Sequence, residues 1–219
     1  MNKKRRIYHF LGDLAANNSK AWMDTHRDAY QEAKDIWLAE IQAILDRLAT
    51  HDPTYATIAP KDTILRINNN RKFHPDRPVY KDNFGFSPGS SGEEPMIYVH
   101  VSPKHSFIAG GLRNPGPQLL KSLREAIDYD GERLLDILNE RSFRDFFGPL
   151  SEDPNKLKTS PQGYAADHPH IELLRRKDFT VMRDVSRKEV TSDHFVDLVE
   201  RAYLELQPFN AYLRQALTV

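Results

Sequence analysis

Apolar residues recur at helical spacing from Asn18 to Thr50, where Trp22, Ala29, Ala33, Ile36, Trp37, Ile41, Ile44, Leu45 and Leu48 are separated by charged positions. The spacing predicts one long amphipathic helix, bent if anything. Asn17, Asn18 and Ser19 supply side-chain oxygens for its first turn, and HDPTY at 51–55 supplies the stop. Between Ile64 and Leu112 the period changes to short β-branched and aromatic runs separated by Pro, Gly, Asn and Ser. These runs predict strands near 63–68, 83–87, 96–102 and 105–112, the last two joined by the SPKH turn as an antiparallel hairpin.

Helical spacing returns after Pro117 with Leu119, Leu120, Leu123 and Ile127, and again after Asp130 with Leu134, Leu135 and Leu138. Residues 143–163 carry prolines at 149, 154 and 161 and read as an irregular crossing. A short helix within 170–177 leads into a strand at DFTVMRDV. Ser192 or Asp193 then caps a last helix with Phe195, Leu198, Val199, Ala202 and Leu206 on one stripe, which Pro208 is expected to break before a turn carrying Tyr212 and Leu213. Helices at both ends of a central group of strands predict a single α+β domain over 1–219, with a mainly antiparallel sheet covered by N-terminal, middle and C-terminal helices.

Composition narrows the chemistry. The 31 Lys and Arg balance the 31 Asp and Glu, so no global field draws in nucleic acid or acidic lipid. The absence of cysteine excludes disulfides, thiolate metal sites and cysteine nucleophiles. No stretch of about 18 apolar residues and no signal-peptide core occurs, which gives a cytoplasmic protein without a membrane partner as the expectation. The basic opening Lys3, Lys4, Arg5, Arg6 reads as a solvated, flexible tail over 1–6. No glycine-rich phosphate loop, nucleophile elbow or HExxH motif is present, so neither a cofactor nor a metal is implied.

Local charge is different. Lys61, Arg66, Arg71, Lys72, Arg77 and Lys81 fall within 21 positions that contain only two acids, Asp62 and Asp76. In RINNNRKFHPDRPVYKDN the cations are interleaved with asparagines, prolines and rings, a mixture suited to an ordered loop that offers donors to a carboxylate or phosphate. Solvated charge, or ion pairing that ties the loop down, is the plainer account of the same residues. Strand alternation places Tyr98 and His100 on one face and Ile97, Val99 and Val101 on the other; in 64–68 it pairs Leu65 with Ile67 and Arg66 with Asn68. The candidate site is therefore Arg66, Lys72, Lys81 and Tyr98 as ligand-binding groups, with Tyr80 and His100 as catalytic candidates, His100 as base.

PKDTILRINNNRKFHPDRPVYKDNFGF, with NNSKAWMDTHRDAY before it and IYVHVSPKHSFIAGGLRNP after it, resembles a bacterial family known as domain of unknown function 2461. The family signature RxxRDxRFxxDKxxYK is matched by Arg66, Phe73, Asp76, Tyr80 and Lys81, while Lys72 and Arg77 exchange one cation for another. Asn69 and Asn70 stand where the signature has Arg-Asp, and an activity that needed that pair would be lost or altered here. The resemblance brings no activity with it. Two functions follow from the residues: binding of a small anionic ligand, with conversion if His100 acts, or a non-catalytic interaction module that offers the same basic-aromatic loop to a protein or nucleic acid. The sequence favours the small anion over nucleic acid and leaves the oligomeric state open.

Overall fold

A computed structural model describes residues 3–89 and 92–217. The chain begins with helix α1 (Arg5–Ala16), which buries Ile7, Tyr8, Phe10, Leu11 and Leu14, an i, i+3, i+4, i+7 stripe. Arg5 and Arg6 thus belong to a helix rather than a tail, and Lys4 pairs with Glu40 at 2.9 Å; Met1 and Asn2 lie outside the described residues.

The expected long helix is two. Ser19 caps α2 (Lys20–Thr25) by accepting from the Trp22 amide at 3.2 Å, and α3 (Arg27–Leu48) follows a non-helical His26. The break has a local cause. His26 Nδ1 lies 2.8 Å from the Trp22 carbonyl, which an unbroken helix would give to the His26 amide; that amide donates to Met23 instead. The imidazole also stacks on the Trp22 ring, with centroids 4.0 Å apart. α3 packs on α1 and buries Ala33, Trp37, Ile41, Ile44, Leu45 and Leu48. A 3-10 turn (Pro53–Thr57) and the single turn α4 (Pro60–Thr63) come next.

Residues 63–68 do not form the expected strand. They touch the sheet through one isolated bridge, Ile64 to Phe86, while a second, Asn68 to Tyr80, closes the base of the basic loop, with a bend between them. Thr63 and Ile67, four apart, are buried while Leu65 is 41% exposed, so the period-two alternation fails there.

Strands β1 (Phe84–Phe86), β2 (Met96–Val101), β3 (Ser106–Leu112) and β4 (Phe179–Val185) form an antiparallel sheet in that order, giving an α+β architecture. β1 pairs with β2 in the register Phe84 with Val101, Gly85 with His100 and Phe86 with Val99. The hairpin between β2 and β3 is clasped by Ser106, whose hydroxyl accepts from the Ser102 amide at 3.0 Å and donates to its carbonyl at 3.1 Å.

The remaining helices are α5 (Pro117–Asn139), α6 (Arg141–Phe147), α7 (Ile171–Leu174), α8 (Arg187–Val190) and α9 (Phe195–Ala216). Asp130 interrupts α5 with φ −143° and ψ 47°, which accounts for the two separate stripes. α6 occupies the start of the stretch read as irregular: Glu140 caps it through the Phe143 amide, and Phe143, Phe146 and Phe147 bury one side.

Pro208 lies inside α9 and does not end it. Proline there costs about 3 kcal/mol through the lost bond to the preceding turn. Ala202, Leu206, Phe209, Leu213 and Ala216 are all buried at 3% exposure or less and keep one stripe in phase across it. Each large side chain contributes roughly 1.5–3 kcal/mol on burial, so the core holds the helix through the proline.

The chain divides into two compact units: Met1–Pro88 with Tyr98–Ile108 and Asp184–Arg201, and Gly89–Ile97 with Ala109–Arg183 and Ala202–Val219.

Candidate functional site

The first unit carries the candidate residues. Along β2 the side chains of Val99 and Val101 are buried, and Tyr98 and His100 stand half-exposed on the opposite face, as strand alternation requires. The Tyr98 hydroxyl lies 3.0 Å from His100 Nδ1. His100 stacks on Phe107 of β3 with centroids 4.7 Å apart and planes 9° from parallel, and Phe107 also meets Tyr98 and His105. Gly85 faces His100 across the β1–β2 ladder; a Cβ there would fall 3.0 Å from both the Tyr98 hydroxyl and Leu65 Cδ1. The missing side chain makes room for the Tyr98 ring.

At the rim, His105 Nε2 lies 2.7 Å from an Asp184 oxygen and Lys104 pairs with Asp82 at 2.6 Å. Burial pushes His100 down to about 4; His105 adds to the shift and Asp82 opposes it. At neutral pH the imidazole is uncharged, so it can accept a proton or hydrogen-bond a ligand without carrying charge itself.

The basic segment adjoins this face through the 64–68 stretch. The Leu65 amide donates to Gly85, the Lys81 amide donates to Ile67, and Lys81 Nζ donates to the Arg66 carbonyl at 2.7 Å. Burial, followed by the charges of Arg66 and Arg77, holds the Lys81 ammonium below the ordinary lysine value. Asn18 fixes the base of the loop: its side chain accepts from the Tyr80 amide and donates to the Tyr80 carbonyl, each at 2.9 Å.

Beyond that base, residues 70–78 are exposed throughout. The loop is ordered by its own polar groups. Asn69 Nδ2 donates to Pro78, the Lys72 amide to Asn70 Oδ1, and the Arg71 guanidinium to Pro75. Asn69 and Asn70, which replace the Arg-Asp of the signature, therefore act as turn-forming residues. Lys72 Nζ rests 5.6 Å from the centroid of Phe73, a ring that is 70% exposed. Among the described residues, none of the six cations between Lys61 and Lys81 pairs with a carboxylate.

The six candidate residues thus fall into four positions. Tyr98 and His100 form a bonded pair, and Arg66 and Lys81 are joined through a backbone carbonyl. Lys72 stands apart on the exposed loop. Tyr80 is 5% exposed and packs into the core, away from the open face. Sequence reasoning missed Phe107, His105 and Asp184 as parts of the face. Period-two spacing along β3 aligns His105 with Phe107 and was available as a signal; nothing local ties Asp184 to residues 79 positions earlier.

A groove of about 1230 Å³ opens elsewhere on this unit, between α1 and α3, and none of the six candidates lines it. Four of its eight charged lining residues pair with each other, Lys4 with Glu40 and Arg6 with Glu32. Among the described residues no cluster of His, Asp and Glu is arranged to hold a metal ion, and no helix is long and apolar enough to cross a membrane.

No curated protein and no solved structure is similar to the chain at a significant level. A family model described as conserved hypothetical protein (DUF2461) matches residues 6–212, nearly the whole chain and every block that carried the resemblance, and the chain belongs to that family.

Proposed function

We propose that this protein binds a small oxyanion, a phosphate or carboxylate group, on Arg66 and Lys81 beside the neutral Tyr98–His100 pair, and that it does so in the cytoplasm. The observation that carries this reading is the set of cations from Lys61 to Lys81 without a carboxylate partner among the described residues, with half-buried Lys81 repelled by Arg66 and Arg77. An anion seated there would relieve that repulsion and accept charge-assisted hydrogen bonds, each worth roughly 1.5–3 kcal/mol. Tyr98 would orient the ligand. His100, uncharged at neutral pH, is the group able to take a proton from it if the ligand is converted.

Thermal unfolding with inorganic phosphate, at ionic strength held constant with chloride, tests the reading. A saturable rise in Tm that is lost in Arg66→Ala and in Lys81→Ala is the expected result, with Lys72→Ala giving a smaller loss. An equal rise in the Arg66 and Lys81 variants rejects it.

A second reading rests on Phe73. An exposed ring flanked by Arg71 and Lys72 suits stacking and phosphate contact with a single-stranded nucleic acid. Binding to an oligonucleotide that weakens steeply with salt and is lost in Phe73→Ala would favour it.

A further inference from the structure

The open face of β2 holds more apolar ring surface than a bare oxyanion can use. Tyr98, His100 and Phe107 are half-exposed there, with centroids 5.8 Å apart for Tyr98 and Phe107 and 4.7 Å apart for His100 and Phe107, and His105 joins them 5.2 Å from Phe107. Leu65, 41% exposed, extends the patch past Gly85: its Cδ1 and the Tyr98 hydroxyl each come to 3.0 Å from the position a Gly85 Cβ would take. Contiguous apolar surface of this kind marks where a ligand or partner is covered.

Its extent selects a small ligand. Leu65, Tyr98, His100 and Phe107 are few beside the roughly 20–30 residues a side of a stable protein interface. Its border selects a charged one. Leu65 is followed directly by Arg66, whose carbonyl holds Lys81 Nζ at 2.7 Å, so the two cationic residues begin one chain step, about 3.8 Å, from the apolar patch. Asp82 and Asp184, beside the face, already have partners, Lys104 at 2.6 Å and His105 at 2.7 Å.

The arrangement of the rings selects an aromatic body. His100 and Phe107 stack within 9° of parallel and cover one another's faces, which leaves ring edges toward solvent. Edges carry the positive end of the aromatic quadrupole and attract the negative face of a further ring, a preference that a saturated ring does not satisfy. With His100 uncharged at neutral pH, such a ring covers no ionised group.

We propose that the oxyanion bound by Arg66 and Lys81 is carried on an aromatic ring that lies over Tyr98, His100 and Phe107, with Leu65 between the ring and the cations, so that the ligand is an aryl phosphate or an aromatic carboxylate. This rests on the anion-binding reading above and adds the body of the ligand to it. Phe107 then determines specificity without touching the oxyanion.

Thermal unfolding of the full chain at constant ionic strength tests this with two series: phenyl, cyclohexyl and methyl phosphate, and benzoate, cyclohexanecarboxylate and acetate. In the series that responds, the aryl member is expected to bind at least about tenfold more tightly than the methyl member, and more tightly than the saturated ring. Phe107→Leu should remove that advantage while the response to the methyl member persists, which reports an intact fold and intact cations. Leu65→Ala, at an exposed position, should reduce it in part. Equal affinity of the aryl and methyl members, a saturated ring that binds as well as the aryl one, or an aryl advantage that survives both variants overturns this inference and leaves the anion reading standing. An aryl response that survives Arg66→Ala combined with Lys81→Ala, or no response to any member of either series, overturns both.

Discussion

The Tyr98 hydroxyl and His100 Nδ1 lie 3.0 Å apart on the open face of β2, and His100 is covered by Phe107 on its other side. This contact places a titratable group where burial, not a counter-charge, sets its pKa.

A pH dependence of stability follows from it. His100 titrates near 4 in the fold and near 6.5 when unfolded, so between those values the unfolded chain binds more protons and stability rises with pH. The contribution is complete above about pH 6.5, is lost as pH falls towards 4, and is on the order of 2–3 kcal/mol. Denaturant unfolding at pH 7, 5.5 and 4.5 should show His100→Gln losing less stability than the natural chain across this window. Parallel losses would place the low pKa elsewhere.

Gly85→Ala is expected to destabilise the first unit by roughly 1–3 kcal/mol, because the new methyl must displace the Tyr98 ring or Leu65. Combining it with Tyr98→Ala should recover part of that loss. A double-mutant cycle in denaturant measures the coupling, and a value near zero would show that Tyr98 does not occupy the space over Gly85.

Pro208→Ala should stabilise the protein. The position is exposed, the helix already continues through it, and alanine restores an amide that can reach the Leu204 carbonyl. The gain is at most about 3 kcal/mol, less the entropy that proline removes from the unfolded chain, roughly 0.4–1 kcal/mol. Thermal unfolding should report a higher Tm; a lower one would mean that the native helix is shaped around the proline.

Asn18→Ala removes both bonds that bracket Tyr80 and should loosen the base of the basic loop. The Tyr80 amide is expected to exchange with solvent faster by at least about tenfold, the equivalent of one lost hydrogen bond of roughly 1.4 kcal/mol. Exchange at the β2 amides should be little changed.

Much of the fold was legible where one period governs a long segment. The stripe from Ala33 to Leu48, the β2–β3 hairpin, the break of α5 at Asp130 and the family itself could all be read from residues near one another. Errors clustered where a side chain competes with the backbone. His26 takes the Trp22 carbonyl and splits a helix; Leu65 looks apolar and is exposed because 63–68 bends between two bridges. In the candidate site, Tyr98 with His100 is a period-two neighbour pair and was readable. The burial of Tyr80 and the contact of His105 with Asp184 were not.

By itself, then, the sequence determined the class of fold, the family, the position of the basic segment and the polar face of β2. These depend on local periodicity, on residue type and on order along the chain. Only the tertiary structure decided that Pro208 is tolerated, that Tyr80 faces inward, and that His105 meets Asp184. Each of those outcomes is a competition between groups distant in sequence, settled by burial and by which donor reaches which acceptor first in space, and no local pattern records it.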